Sequence, residues 1–485
     1  MSDTLLDRRQ FYINGEWVDP MSANDFDVID PSNEEVCAVI SLGGEADTNA
    51  AVAAAKAAFP TWAATPVEER IALLEKLAEI YKARAGEMAE AISTEMGAPQ
   101  DMSAALQVGA GIGHLKSIIR ALKAFEFERP LGPHAPDNII LYEPVGVCAL
   151  ITPWNWPMNQ VTLKVVPAIG VGCTMVLKPS EIAPLSGSLF AEMIHEAGFS
   201  PGVFNMVHGD GAGVGTQLSG HPDVDMVSFT GSTRAGVAIT KNAADSVKRV
   251  ALELGGKGAN IVFADAGEDA ITWSVWRCFN NTGQSCNAPT RMLVERSIYD
   301  ETVEKAKIAA ENTGVGAPTQ EGNHIGPVVS EVQWNKVQGF IAKGEEEGAR
   351  LVAGGQGRPD GFDKGYYVKP TVFVDVDPKM TIATEEIFGP VLSITPFDTE
   401  EEAIAIANDT PYGLTNFVQT TDREKARRVA RQLRSGMVEM NGKPRGAGAP
   451  FGGYGQSGNG REGGEWGIEE FLEVKSVSDW HDPAE

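Results

Sequence analysis

Four short apolar runs between residues 145 and 232 constrain this chain more than any other feature. They are VGVCALITPW (145–154), GCTMVLKPS (172–180), VFNMVHG (203–209) and DMVSFTGS (225–232). Each is apolar and too short for a buried helix, and each stops at Pro, Gly or a polar turn, so each reads as a buried strand. The stretches between them have helical length. The one over 184–198 stops at Gly198, a helix-ending residue. Strands apolar on both faces and separated by helices pair in parallel, because a parallel crossover needs a dozen or more residues and lays its helix on the sheet. A second series starts at GANIVFAD (258–265) and runs to about 438, with helical stretches over 299–312 and 400–408. Ahead of both, residues 47–64 are Ala-rich, and 66–96 repeat apolar positions at helical spacing through Ile71, Leu74, Leu77, Ile80 and Tyr81. The expected fold class is α/β, with two parallel α/β domains joined near Leu252–Gly256.

At 485 residues the chain has room for two cores. Its 40 Lys and Arg stand against 66 Asp and Glu, a net charge of -26 that repels phosphate backbones and anionic membrane surfaces. Neither a nucleic-acid nor a membrane partner is expected. The N-terminal MSDTLLDRRQFYINGEW lacks the apolar core of a secretory signal, and no apolar run approaches the roughly 18 residues of a membrane span. Cysteines fall at 37, 148, 173, 278 and 286, without metal-ligand spacing or a disulfide framework. A reducing, cytoplasmic location and no metal are the expectations.

Chemistry-bearing residues cluster where strands end, and open parallel sheets bind ligands beyond the carboxyl ends of their strands. LITPWNWPMNQ (150–160) puts Asn155 there, with an amide NH2 that can donate to a developing oxyanion. VLKPSE (176–181) adds Lys178 and Glu181, a donor and an acceptor suited to ribose hydroxyls. VSFTGSTRAG (227–236) runs from a strand through Gly231 and Ser232 into a helix start, the layout that seats a pyrophosphate. GDGAGVG (209–215) matches a dinucleotide fingerprint only superficially. In ALELGGKGANIVFADA (251–266), Glu253 stands between leucines, where desolvation raises a carboxylate's pKa and suits it to general-base work. NNTGQSCNAPTR (280–291) sets Cys286 among small polar neighbours, unlike a packing cysteine. TEEIFGPVLSI (384–394) puts Glu385 and Glu386 before an apolar run, and PFGGYGQSGNGRE (450–462) is rich in Gly. Singly, each has a plainer reading: a turn-forming asparagine, a solvated Lys–Glu loop, a hinge or capping glutamate, an inert thiol.

Taken together, PWNWP, KPSE, FTGST, ELGGK, GQSC, EEIFGPV, PYGLT (411–415) and PFGGYGQSG, in that order and over nearly the whole length, make the chain resemble the aldehyde dehydrogenase superfamily. The resemblance implies two Rossmann-like domains and a small β oligomerisation element. The cofactor-binding domain would be 1–123 and 145–252, the catalytic domain 253–438, and the oligomerisation element 124–144 and 472–485. Residues 439–471 would return to the cofactor-binding domain and line the substrate entrance. A homodimer or homotetramer is implied. Cys286 is then the nucleophile, Glu253 the general base and Asn155 the oxyanion donor. Pro153, Trp154, Lys178, Glu181, Gly231, Ser232, Leu254, Glu386 and Phe388 would contact NAD, with the Glu181 carboxylate disfavouring the 2′-phosphate of NADP. The implied reaction takes a small-molecule aldehyde to a carboxylic acid through a cysteine thiohemiacetal and thioester.

The sequence departs from the family pattern around the substrate. Trp156 stands where relatives often carry Phe, and commonly aromatic positions hold Asn159, Leu163, Asn280, Ser285 and Asn287, with Phe451 still aromatic. NGKPRGAGAP (441–450) brings Lys443 and Arg445 to the expected entrance. A polar tunnel with cations at its mouth favours an aldehyde bearing a distal carboxylate; a solvated basic loop on an acidic protein accounts for the same residues. Two other classes stay open. A relative that passes the acyl group to coenzyme A lacks the general base at the ELGGK position. A non-catalytic relative has no need to keep Cys286, Glu253 and Asn155 together.

Overall fold

The computed structural model describes residues 5–480. Residues 1–4, at the start of the expected cofactor-binding domain, and 481–485, at the end of the expected oligomerisation element, lie outside the described residues.

The four apolar runs form β1 (Val147–Ile151), β2 (Thr174–Lys178), β3 (Phe204–Met206) and β4 (Met226–Thr230), and β5 (Arg249–Glu253) follows. Every residue of β1 to β4 is buried, which is why these strands show no polar alternation. They pair in parallel in the order β5-β4-β1-β2-β3, and an antiparallel hairpin, Phe11–Ile13 and Glu16–Val18, extends the β3 side. Strand pleating divides the core. Cys148, Leu150, Met175 and Leu177 face the helices Pro157–Val171 and Leu185–Ala197, while Val147, Ala149, Ile151 and Val176 face the helix Glu45–Ala63. Gly198 ends its helix in the left-handed conformation, where any Cβ would be strained. The chain runs outward from β1 in one direction through β2 and β3, then returns to the other side for β4 and β5. This reversal opens a crevice between β1 and β4 at the carboxyl ends of the strands.

The second sheet comprises β6 (Ala259–Val262), β7 (Arg291–Glu295), β8 (Thr371–Val374), β9 (Val391–Phe397), β10 (Thr415–Gln419) and β11 (Met437–Met440). Its order is β8-β9-β7-β6-β10-β11, all parallel, with Arg350–Ala353 antiparallel outside β8. Only Leu254–Gly258 separates β5 from β6, so the chain crosses from one sheet to the other directly after Glu253. The fold is α/β with two Rossmann-like sheets.

Two small sheets complete the architecture. Glu128–Gly132, Ala135–Pro144 and Leu472–Val477 form one, antiparallel throughout. Leu6–Arg8, Asp25–Asp30 and Glu35–Ser41 form the other, which the apolar pattern does not announce. The run over 66–96 is two helices, Val67–Ala83 and Ala85–Met96, broken at Arg84 (φ -100°, ψ 18°), two residues before Gly86. The GDGAGVG stretch begins a short helical segment over Gly211–Gly215 that continues into Thr216–Gly220, capped by Asp210, which accepts from the Gly213 N–H at 2.6 Å. No described helix is long and apolar enough to cross a membrane.

Candidate active site

Cys286 lies on the loop between the helix Ala270–Phe279 and β7 and lines a cavity of about 600 Å³. Just before it, Asn281, Thr282 and Gly283 take left-handed backbone angles, with φ of 55°, 55° and 71°. Such angles store strain in non-Gly residues unless neighbours hold them. Here the neighbours do. Asn281 Nδ2 donates to Asn155 O at 2.9 Å and to Gln284 O at 3.2 Å. Gln107 Nε2 donates to Asn155 O at 3.1 Å and to Asn281 Oδ1 at 3.3 Å. The Val329 N–H donates to Gln284 Oε1 at 2.9 Å. Gly283 admits no side chain, because a Cβ would run into the Gly389 carbonyl.

Asn155 follows β1, and its buried side chain donates from Nδ2 to Gln284 O at 3.0 Å, two residues before Cys286. That bond uses one of its two N–H groups. The Cys286 backbone N–H makes no hydrogen bond among the described residues. A side-chain donor and a main-chain donor thus stand beside the thiol, an arrangement able to stabilise an oxyanion on a carbon bonded to Sγ. Asn155→Ala is expected to lower kcat by roughly 10²–10³-fold with cofactor affinity unchanged. Steady-state rates and a cofactor titration check this, and a loss below tenfold removes the oxyanion role.

Glu253 ends β5, and the Gly-rich stretch near the C-terminus closes over it. Asn459 and Gly460 donate their N–H groups to Leu252 O at 3.1 and 3.0 Å, and Leu254 donates to Ser457 O at 3.0 Å. A Cβ on Gly452 would stand 2.7 Å from Glu253 Oε1, so that glycine leaves space for the carboxylate. Both carboxylate oxygens are buried and accept no hydrogen bond. Burial first, then repulsion from Glu462, holds Glu253 well above the ordinary glutamate pKa, and Lys164 and Arg461 oppose this. Glu462 itself is ion-paired to buried Lys164. Burial, together with Glu386, Glu253 and Glu462, pushes the Cys286 thiol up to about 12, against the pull of Arg445. The resting group at neutral pH is therefore the thiol. A Cβ on Gly256 would lie 2.8 Å from Cys286 O, so the ELGGK turn and the Cys286 loop touch.

The cavity gathers Trp156, Asn159, Leu163, Asn280, Asn287, Arg445 and Phe451 around Cys286. Two other residues expected there are absent from its walls. Ser285 is buried, with Oγ accepting from Trp156 Nε1 at 2.7 Å, so it braces the wall instead of lining it. Lys443 is exposed to solvent, while Arg445, two residues on, turns inward onto the Phe451 ring and Glu439. The walls also hold His114, Trp273, Trp276, Arg277 and Glu439, which were not foreseen. Trp273, Trp276, Arg277 and Asn280 follow one another at steps of three, one and three, so they share one helical face. That spacing was the available signal.

At the carboxyl edge of the first sheet, Lys178 Nζ donates to Pro179 O (3.0 Å), Glu181 Oε2 (3.2 Å) and Gly209 O. All three of its N–H groups are committed, and Glu181 remains 25% exposed. Ser232 caps the helix Thr233–Ala243 beside the β1–β4 crevice, and a Cβ on Gly231 would strike the Phe229 ring. Glu386 Oε1 accepts from the Gly256 N–H at 3.0 Å, and Gly255 has no room for a Cβ beside that carboxylate. Phe388 stands edge-on to Trp154, which follows Pro153 beyond β1, with centroids 5.5 Å apart. Leu254 is buried in the core of this face. Two carboxylates, a helix N-terminus and an aromatic pair along one crevice fit the riboses, pyrophosphate and nicotinamide of NAD. Among the described residues no cluster suited to a metal ion occurs, and all five cysteines are free.

Comparison with known proteins agrees over the whole length. The chain is similar to a 3-succinoylsemialdehyde-pyridine dehydrogenase of a Pseudomonas species, with 51% identity over 475 residues, 98% of this chain and 99% of that protein. The crystal structure of an aldehyde dehydrogenase from Bartonella henselae is 58% identical, with a TM-score of 0.98, over 98% of this chain and 100% of that one. A variant of aldehyde dehydrogenase C from Pseudomonas syringae, solved with NAD+ and octanal, is 47% identical, with a TM-score of 0.96, over 98% of both chains. The model of the aldehyde dehydrogenase family matches residues 17–477. With the motif order, the two sheets and these matches in agreement, the chain belongs to the aldehyde dehydrogenase family.

Proposed function

We propose that this chain oxidises an aldehyde with NAD, so that aldehyde, NAD+ and water give the carboxylic acid, NADH and a proton. The observation that carries the reading is a cavity-lining thiol, Cys286, joined through the ELGGK turn to a buried, unpartnered carboxylate, Glu253. Sγ attacks the carbonyl carbon, the C=O π pair moves to oxygen, and the thiol gives up its proton to solvent water, which is the proton the overall reaction releases. Asn155 Nδ2 and the Cys286 N–H hold the oxyanion of the thiohemiacetal. NAD, when bound, supplies the hydride acceptor. Glu253 then takes a proton from the water that attacks the thioester, the acid departs, and the thiol is restored. Glu181 and Lys178 would hold the adenosine ribose, Gly231 and Ser232 the pyrophosphate, and Glu386 and Phe388 the nicotinamide end.

The first sheet is proposed as the cofactor-binding domain and the second as the catalytic domain, with the boundaries given above. The small sheet containing Leu472–Val477 is proposed to pair copies of the chain. It has an open edge strand, and Val474 on it is 64% exposed. A cytoplasmic location is part of this reading. One relative is named for 3-succinoylsemialdehyde-pyridine and a variant of another was solved with octanal, and the tryptophan walls here suit an apolar segment.

Incubation of an aldehyde panel with NAD or NADP, with and without coenzyme A, tests the proposal. NADH and free acid are expected, unaffected by coenzyme A. Because the Glu181 carboxylate repels a 2′-phosphate while the Lys178 ammonium is already committed, kcat/KM is expected to favour NAD by about tenfold or more. Turnover that depends on coenzyme A overturns the hydrolytic step, and a preference for NADP overturns the role of Glu181.

A further inference from the structure

The helix Ala270–Phe279 turns Arg277 into the cavity that holds Cys286. Arg277 makes no hydrogen bond and no ion pair among the described residues. The ring of Phe417 lies 5.9 Å from its Cζ, and the Glu439 carboxylate acts on it electrostatically without bonding to it. Arg445 across the cavity is satisfied differently: its Nε donates to Glu439 Oε1 at 3.2 Å, and the Glu439 side chain is only 7% exposed. Glu462, the other carboxylate on the wall, is neutralised by Lys164. Two guanidiniums and one unneutralised carboxylate leave this wall with one surplus positive charge, and Arg277 is the guanidinium without a bonded partner among the described residues.

A half-buried guanidinium whose five donors meet no protein acceptor keeps unused hydrogen-bonding capacity facing the cavity. The ring of Phe417 uses little of that, because an aromatic face offers no acceptor in the plane of the N–H fork. Thiol activation is the rival use of such a charge, but it makes no use of the fork. What satisfies both the charge and the fork is a planar monoanion with two parallel acceptor oxygens. The surplus of one charge matches a carboxylate better than a phosphate dianion. Trp273 and Trp276, on the same face as Arg277, offer apolar cover for the carbon chain between that carboxylate and the aldehyde.

We propose that Arg277 receives a carboxylate at the far end of the substrate, so that the favoured substrates of this chain are short aldehydes carrying a terminal carboxylate. The inference rests on the dehydrogenase reading for the word substrate. The anion site itself stands independently of turnover. Arg277 takes the role that the Lys443–Arg445 loop was expected to play, since Lys443 faces solvent and Arg445 is paired.

The test compares succinic semialdehyde with its methyl ester, similar in shape but neutral, in wild type, Arg277→Gln and Arg277→Lys. Wild type is expected to favour the acid. Arg277→Gln should lose about 10–100-fold in kcat/KM on the acid, mostly through KM, and less than about threefold on the ester. Arg277→Lys should restore part of the loss. Titration of each variant with succinate, followed by tryptophan fluorescence, reads anion docking without chemistry, and the Gln variant should bind at least about tenfold more weakly. An equal loss on acid and ester with KM unchanged, or succinate binding indifferent to Arg277, overturns the proposal. If no aldehyde is oxidised while succinate still binds through Arg277, the dehydrogenase reading fails and the anion site stands.

Discussion

Replacing Cys286 with alanine is expected to end aldehyde oxidation while NAD still binds. The loss in kcat should reach about 10⁴-fold or more, because every later step takes place on a carbon bonded to Sγ. No other thiol stands in. Cys148, Cys173 and Cys278 are buried in the sheet cores, and Cys37 lies on the N-terminal small sheet. The Cys286 loop is held by Asn155, Gln107, Asn281 and Val329, none of which bonds to Sγ, so alanine leaves the loop and the cofactor crevice standing. NADH production and an NAD titration by fluorescence read the two halves of this statement separately. A variant retaining more than a tenth of wild-type activity would exclude covalent catalysis.

Glu253→Gln should separate the two halves of the reaction. Gln cannot take a proton from water, so the thioester accumulates: rapid mixing should show a burst of NADH close to one per site, then a steady state slower by roughly 10²–10⁴-fold. The pH dependence follows from the burial of Glu253. Desolvation and the nearby Glu462 raise its pKa, so it carries a proton and fails as a base until the pH exceeds that raised value. The wild-type steady-state rate should therefore climb with pH over a range above that of an ordinary glutamate, and the Gln variant should lose that limb. Equal slowing of burst and steady state would leave Glu253 without a part in deacylation.

Much of this fold is legible in the sequence because its strands are buried on both faces. An unbroken run such as MVSFT (226–230) has no use other than a central parallel strand, and Gly198 and Pro153 mark where elements stop. The N-terminal small sheet is not legible, since DFDVID (25–30) is polar at alternate positions and pairs on one side only, with Glu35–Ser41. The helix break falls on Arg84, a residue of good helix propensity, while the nearby Gly86 sits inside the second helix. Around the cavity, position along the chain does not give direction. Ser285 adjoins Cys286 yet turns to the Trp156 indole, and Lys443 and Arg445 lie two residues apart with opposite exposures. Arg277 gives no signal of its own, because its neighbours in WSVWRCF (273–279) are mostly apolar. The same helical face that suggests packing is the one that lines the cavity.

The left-handed turn Asn281–Gly283 survives because it is tied from several sides at once: to Asn155 after β1, to Gln107 from the N-terminal helices, and through Gln284 to Val329. The ties to Asn155 and Gln107 reach across from the first half of the molecule and are lost once the halves part, while the tie to Val329 and the Asn281–Gln284 bond stay within the second half. On heating, the loss of activity is therefore expected to begin with the parting of the two halves, ahead of unfolding within the second sheet.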